Sequence, residues 1–234
     1  MKCLILGCGF IGQNLTKRLR EQGHEVFGAD IKKPEFVEPT FFAQGDLRDS
    51  KFCESIFDQP FDRVYNLAAW MGGAGMIFTG DNDADIMYSS AMINLNVAKY
   101  ATQAKVKQLF FSSSVCAYSK DQVKQKTKEE DIYPANPDSN YGWEKIFSER
   151  VYQAFAKNKG LNIRIARFNN TFGPYCTWDG GREKSPAAIC RKALTQDPIE
   201  IWGDGKQIRE FIYIDDLLDA IEVIMENPYT GPIN

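Results

Sequence analysis

Tyr141 is followed four positions later by Lys145, in the run Asn140-Tyr141-Gly142-Trp143-Glu144-Lys145. On a helix that spacing puts a phenol and an ammonium on one face, a turn apart. A nearby cation lowers the pKa of a phenol, so the two side chains can form a general acid/base pair. Taken alone they also fit a surface pair. The chain's start supplies context: Gly7-Cys8-Gly9-Phe10-Ile11-Gly12 follows an apolar strand at 3–6 and opens a helix carrying Ile11, Leu15 and Leu19 at helical spacing until Gly23. Glycines in that setting let a dinucleotide pyrophosphate reach the N–H groups of a helix N-terminus. A second strand at 26–29 leads to Asp30, where a carboxylate accepts a ribose hydroxyl and repels a 2′-phosphate. The pattern favours NAD over NADP; an ordinary βαβ turn with an exposed aspartate is the competing reading.

The elements needed to position these groups are legible further along. Apolar runs at 41–45, 63–67, 108–111 and 162–166 read as strands, and 50–57, 86–104 and 141–158 as helices. The alternation predicts an α/β fold, a doubly wound parallel sheet of the Rossmann type. Residues 1–168 form the expected dinucleotide-binding domain. From 169 to 234 the pattern loosens around Gly173-Pro174, Gly180-Gly181 and Gly203-Asp204-Gly205, as a smaller, partial substrate-binding portion at the carboxyl ends of the strands requires. The polar stretch 119–131 reads as a solvated loop.

Composition narrows the classes. A chain of 234 residues, 44% hydrophobic and 25% charged, buries a sizeable core. A net charge of -3 with scattered lysines and arginines carries no footprint for nucleic acid or an anionic membrane. No apolar run reaches the ~18 residues of a membrane span, so the cytoplasm is the default expectation. The six cysteines lack metal-ligand spacing and His24 is the only histidine, so no metal site is expected and five of the six thiols read as structural.

Several motifs together resemble a family. Gly7-x-Gly9-x-x-Gly12, Asp46-Leu47-Arg48-Asp49, Asn66-Leu67-Ala68-Ala69, Ser112-Ser113-Ser114, Tyr141-x-x-x-Lys145, Arg167-Phe168-Asn169-Asn170-x-Phe172-Gly173-Pro174 and Arg209-x-Phe211-Ile212-Tyr213-Ile214-Asp215-Asp216 resemble the extended short-chain dehydrogenase/reductases that modify sugar nucleotides. Within it, Met71-Gly72-Gly73-x-Gly75, Ser114-Val115-Cys116-Ala117-Tyr118, Gly180-Gly181-Arg182-Glu183-Lys184-x-Pro186-Ala187-Ala188 and Trp202-Gly203-Asp204-Gly205 are similar to the branch of GDP-mannose 3,5-epimerases. Trp70 departs from that branch, which places an acidic residue there. The resemblance also implies that the substrate portion stops short at Gly231-Pro232-Ile233-Asn234, either as a fragment or through loss of the last part.

The resemblance implies NAD as cofactor, held by Gly7, Gly9, Phe10, Ile11, Gly12, Asp30, Asp46, Leu47, Leu67, Ala68 and Ala69 together with Tyr141 and Lys145. A nucleotide sugar, a GDP-hexose, would meet Gly72, Gly73, Ser114, Cys116, Asn170, Glu183, Lys184, Lys192, Gln207 and Arg209. Tyr141 would take the C4 hydroxyl proton as hydride leaves for NAD, with Ser114 on the C4 oxygen. The resulting ketone acidifies the hydrogens on C3 and C5, and the motif positions of Cys116 and Lys184 imply a base and an acid for those carbons. A 4-epimerase, which needs only Ser114, Tyr141 and Lys145, and a non-catalytic dinucleotide-binding module remain as alternatives. A homodimer through helices 86–104 and 141–158 is expected, with Ile146, Val151 and Phe155 as candidate contacts.

Overall fold

The computed structural model describes residues 1–119, 127–201, 203–206 and 208–234. Predicted site residue Gln207, Trp202 and part of the 119–131 loop lie outside them. The chain runs β1 (Lys2–Leu6), α1 (Phe10–Glu21), β2 (Glu25–Asp30), β3 (Phe41–Gln44), α2 (Ser50–Ile56), β4 (Arg63–Asn66), α3 (Ala74–Ile77), α4 (Asp83–Gln103) and β5 (Gln108–Ser114). After 3₁₀ turns at Val115–Ala117 and Glu129–Ile132 come α5 (Asn140–Lys159), β6 (Ile163–Phe168), β7 (Asn170–Phe172), α6 (Ser185–Thr195), β8 (Phe211–Tyr213), α7 (Ile214–Glu226) and β9 (Pro232–Ile233).

Seven strands form one parallel sheet in the order β3-β2-β1-β4-β5-β6-β9. Alternate residues of β1 explain why its run is apolar throughout: Cys3 and Ile5 enter the core shared with Leu15, Leu19, Leu217 and Ile221, and Leu4 and Leu6 the opposite core with Val97, Ala101 and Tyr152. A parallel sheet covered on both faces demands such strands. Helices α1 and α7 therefore cover one face, and α2, α4 and α5 the other.

The expected strands and long helices are present, and the structure adds to them. β5 continues through the serine triplet, paired with Ala166, Arg167 and Phe168 of β6. Past residue 168, β7 and β8 form a small parallel pair, whereas α7 and β9 return to the main sheet. The region beginning at 169 thus contributes to both layers. Helix α5 is delimited by Ser139, whose hydroxyl accepts the Gly142 N–H, and by Gly160 in the left-handed region at φ 73. Among the described residues, no helix is long and apolar enough to cross a membrane.

One expected contact of a second copy, Ile146, needs correction because it is buried. Ile146 is buried with Ala117, Tyr118 and Ile132, and Val151 and Phe155 pack against the main core. The apolar side chains of α4 and α5 left exposed are Tyr88, Leu95, Trp143 and Phe147.

Candidate functional site

The glycine turn between β1 and α1 fits a dinucleotide. Gly7 has φ 91, and a Cβ on it would lie 2.6 Å from the Ala68 nitrogen; one on Gly12 would lie 2.1 Å from the Gly7 oxygen. These two glycines let β1, α1 and the end of β4 close together. Gly9 differs: a Cβ there meets nothing within 4 Å, so its backbone faces open space. It precedes α1 without a side-chain cap, leaving helix N–H donors for an anion. Asp30 stands over this turn and accepts the N–H groups of Cys8 (2.7 Å) and Lys32 (3.0 Å), keeping lone pairs for a hydroxyl.

Asp46 is chelated by Arg48 through Nε at 3.0 and 2.9 Å and Nη2 at 2.6 Å, which holds its carboxyl below the usual range. Arg48 also reaches Ser89 Oγ and lies over the Trp70 ring, whose other neighbour is the Arg182 guanidinium 5.2 Å from its centroid. Leu47 is buried. Leu67 donates its N–H to the Leu6 carbonyl, placing Ala68 and Ala69 beside the glycine turn. Phe10 and Ile11, half-buried at the start of α1, pack on the core of that face.

Ser114 ends β5 and accepts the Cys116 N–H at 3.1 Å, starting the 3₁₀ turn that presents the thiol. Tyr141 and Cys116 share an apolar cluster with Trp70, Met71, Met76, Ile77 and Ile86. The approach depends on Gly142, where a Cβ would lie 2.1 Å from the Cys116 oxygen. Lys145 is 1% exposed; its Nζ donates to the Ser112 carbonyl at 2.9 Å and lies 5.5 Å from the Tyr141 ring centroid. The structure therefore brings Ser114, Cys116, Tyr141 and Lys145 together.

The electrostatics differ from the expectation drawn from spacing. Burial dominates and pushes the Tyr141 phenol well up; Cys116 and Glu144 act in the same direction, and only the hydrogen bond with Ser114 opposes them. Lys145 is pushed down by burial, with Glu144, Glu149 and Cys116 opposing. The protein's own groups thus favour the protonated phenol of Tyr141, and a further positive charge beside it would favour its ionisation.

Lys184 is the residue preceding α6. Burial lowers its pKa, and Cys116 is the neighbouring group that opposes this. Glu183 pairs with Arg191 at 2.9 Å. The 180s loop packs on Gly73, where a Cβ would lie 2.3 Å from the Glu183 oxygen; a Cβ on Gly72 would meet Met76 Sδ at 2.8 Å first and Arg182 Cγ at 3.3 Å. At Gly73 the lack of a side chain serves the approach of one loop to another.

The remaining candidates sit apart in their contacts. Asn170 Nδ2 donates to the Glu210 carbonyl at 3.3 Å, Lys192 Nζ to the Glu200 carbonyl at 2.9 Å, and Arg209 to the adjacent Ile208 carbonyl. Among the described residues no group of three His, Cys, Asp or Glu could hold a metal.

Sequence reasoning missed a buried polar network behind the site. Asn66 Nδ2 donates to Asn94 Oδ1 and Tyr152 Oη, each at 2.8 Å, and Asn94 Nδ2 donates to Glu144 Oε1 and Ser148 Oγ, each at 2.9 Å. The signal was available: Glu144, Ser148 and Tyr152 recur every four residues along α5, a polar stripe on the face turned to the core.

A sequence profile described as the NAD dependent epimerase/dehydratase family matches residues 3–234. The chain is 38% identical over 244 residues to the GDP-mannose 3,5-epimerase of Arabidopsis thaliana, covering 100% of this chain and 64% of that protein. It is 38% identical over 234 residues to GDP-mannose 3,5-epimerase 1 of Oryza sativa subsp. indica, covering 97% and 61%. The chain thus spans less than two thirds of the length of these curated relatives. The crystal structure of a UDP-glucose 4-epimerase with UDP-glucose from Thermotoga maritima superposes with a TM-score of 0.88 at 26% identity, over 100% of this chain and 75% of that one.

Proposed function

The chain belongs to the NAD dependent epimerase/dehydratase family, and within it we propose that it epimerises a GDP-hexose, GDP-mannose, at C3 and C5 through a transient 4-keto sugar. The observation that supports this reading is the shared cluster of Tyr141 and Cys116 beside the Ser114 turn, with Lys184 near enough to Cys116 to interact with it electrostatically. The likeness to the plant GDP-mannose 3,5-epimerases supports the choice of sugar nucleotide.

The residues present fit NAD. Open space at Gly9, the uncapped start of α1 and Asp30 above the turn suit a pyrophosphate and an adenosine ribose with a free 2′-hydroxyl. When bound, NAD supplies a hydride acceptor and a positive ring beside Tyr141. Tyr141 would take the C4 hydroxyl proton, Ser114 would steady the C4 oxygen and Lys145 would help to hold the cofactor beside Tyr141. Cys116 withdraws a hydrogen alpha to the C4 ketone, and Lys184 returns one from the opposite face. The two-sided arrangement needs both the 115–117 turn and the 180s loop, which Gly142 and Gly73 hold in place. The region from 169, with Asn170, Glu183, Lys192, Gln207 and Arg209, serves the sugar nucleotide.

A homodimer and a cytoplasmic setting go with this reading. Exposed Tyr88, Leu95, Trp143 and Phe147 on α4 and α5 support the former. A 4-epimerase is the second reading, favoured by the superposition on the Thermotoga maritima enzyme.

Three variants test the assignment. Cys116→Ala and Lys184→Ala should keep NAD binding and sugar oxidation but lose hydrogen exchange at the ring carbons; Tyr141→Phe should lose both, because the ketone never forms. Undiminished exchange in Cys116→Ala would remove the thiol from the reaction and favour the 4-epimerase.

A further inference from the structure

Among the described residues five charged side chains are buried: Glu144, Lys145, Glu149, Arg164 and Arg167. Arg164 is bonded to oxygens of Asn162, Ile163 and Asn227 at the start of β6. Glu149 and Arg167 neutralise each other in a bidentate pair at 2.9 and 2.8 Å. That leaves Glu144 and Lys145, adjacent in sequence, in the layer behind the site. Neither has an ion-pair partner within 4.0 Å among the described residues. Lys145 gives one hydrogen bond to the Ser112 carbonyl and otherwise faces the rings of Phe111 and Tyr141. Glu144 is 0% exposed; its Oε1 accepts from Asn94 at 2.9 Å and Ser148 at 2.6 Å, and its Oε2 has no hydrogen-bond partner. A buried charge is tolerated when an opposite charge lies close in the same low-dielectric region.

We propose that Glu144 is a positioning residue that supplies the counter-charge holding Lys145 as an ammonium, with its carboxylate fixed for that purpose by Asn94 and Ser148. The inference rests on the reading of Tyr141 and Lys145 as the acid/base pair, and it adds a residue outside the family motifs that carried that reading. Burial pulls Lys145 toward its neutral form, and Glu144 is the largest of the groups that oppose it, ahead of Glu149 and Cys116. The other ionisable neighbours are Tyr141 and Tyr152 on α5 itself, the latter's hydroxyl bonded to Asn66 and Asn94, Arg167 of β6 engaged with Glu149, and Lys184 beside Cys116. Strands β4 and β5 and helix α4 contribute Asn66, Ser112 and Asn94, which are uncharged. Glu144 itself disfavours ionisation of Tyr141, so its value to the site lies in the lysine.

The test is Glu144→Gln, which keeps an acceptor for Asn94 and Ser148 and removes only the charge. The protein is labelled with ¹⁵N-lysine, and the Lys145 Nζ resonance, assigned by its loss in Lys145→Arg, is followed against pH. Its midpoint should fall by roughly one pH unit or more, the effect at an effective dielectric of about 20 of removing a unit charge from within about 12 Å. Glu144→Asp should recover most of the shift. An unchanged midpoint in the Gln variant overturns the proposal. Should that variant not fold, the unaltered protein decides: Lys145 charged at about pH 7 is expected, and a neutral amine there overturns it. The titration uses neither sugar nor cofactor, so failure of the epimerase reading would show separately, as absent exchange with this result intact.

Discussion

Replacing Gly142 by alanine should damage the reaction far more than the fold. The added Cβ would lie 2.1 Å from the Cys116 carbonyl oxygen and 2.7 Å from Pro137 Cβ. Because the first of these atoms is backbone, the start of α5 and the 115–117 turn must part by roughly 1 Å to regain van der Waals separation. Overpacking of this kind costs about 1–3 kcal/mol, against which alanine's better helix propensity returns up to about 1 kcal/mol. A net loss of roughly 2 kcal/mol or less leaves a protein folded. The same displacement moves Tyr141 relative to Cys116 and Ser114, and a 1 Å misplacement of reacting groups costs about 10²-fold in rate. Urea unfolding and the rate of hydrogen exchange into GDP-mannose measure the two effects on one preparation. Gly9→Ala is the contrast, since its Cβ meets no protein atom within 4 Å: stability should hold while NAD affinity falls by roughly tenfold or more. A Gly142→Ala protein with full exchange rate would refute the claim that this close approach positions the two residues.

Arg167→Met strands the Glu149 carboxylate, 3% exposed and also bonded to Ser113, and should cost about 3–5 kcal/mol of unfolding free energy. Adding Glu149→Leu should recover most of that loss, and a double variant no better than the single one would contradict the pairing. Arg48 depresses the Asp46 pKa, so the pair stabilises the fold above the ordinary aspartate value of about 3.9, and that contribution is lost as pH falls through the lowered folded value. The stability gap between the protein and Arg48→Gln should therefore be widest above about pH 4 and narrow below it; a gap independent of pH would count against the ion pair.

The sheet was readable because parallel strands covered on both faces are largely apolar, as at Cys3–Leu6. The continuation of β5 through Ser112–Ser114 was not, since three serines look like a loop until Ser113 is seen bonded to Glu149 and Ser112 to Asn66. Similarly β7, β8 and β9 are two or three residues long, below the length at which alternation is visible. The motifs named Ser114, Cys116 and Tyr141, which the structure places side by side. What holds them, namely Gly142 against Cys116, Gly73 against Glu183 and Asn94 against Glu144, joins residues between 26 and 110 positions apart, and no local pattern records such contacts. Ile146 was misplaced for a related reason: helical spacing identifies an apolar residue but not which neighbour covers it.

The most direct test of the central claim is incubation of the protein with NAD and GDP-mannose in deuterated water, with deuterium in the sugar located by NMR. A 4-keto sugar held between Cys116 and Lys184 predicts deuterium at both C3 and C5, with NAD neither gained nor lost overall. Turnover that inverts C4 and leaves both neighbouring carbons unlabelled would contradict it.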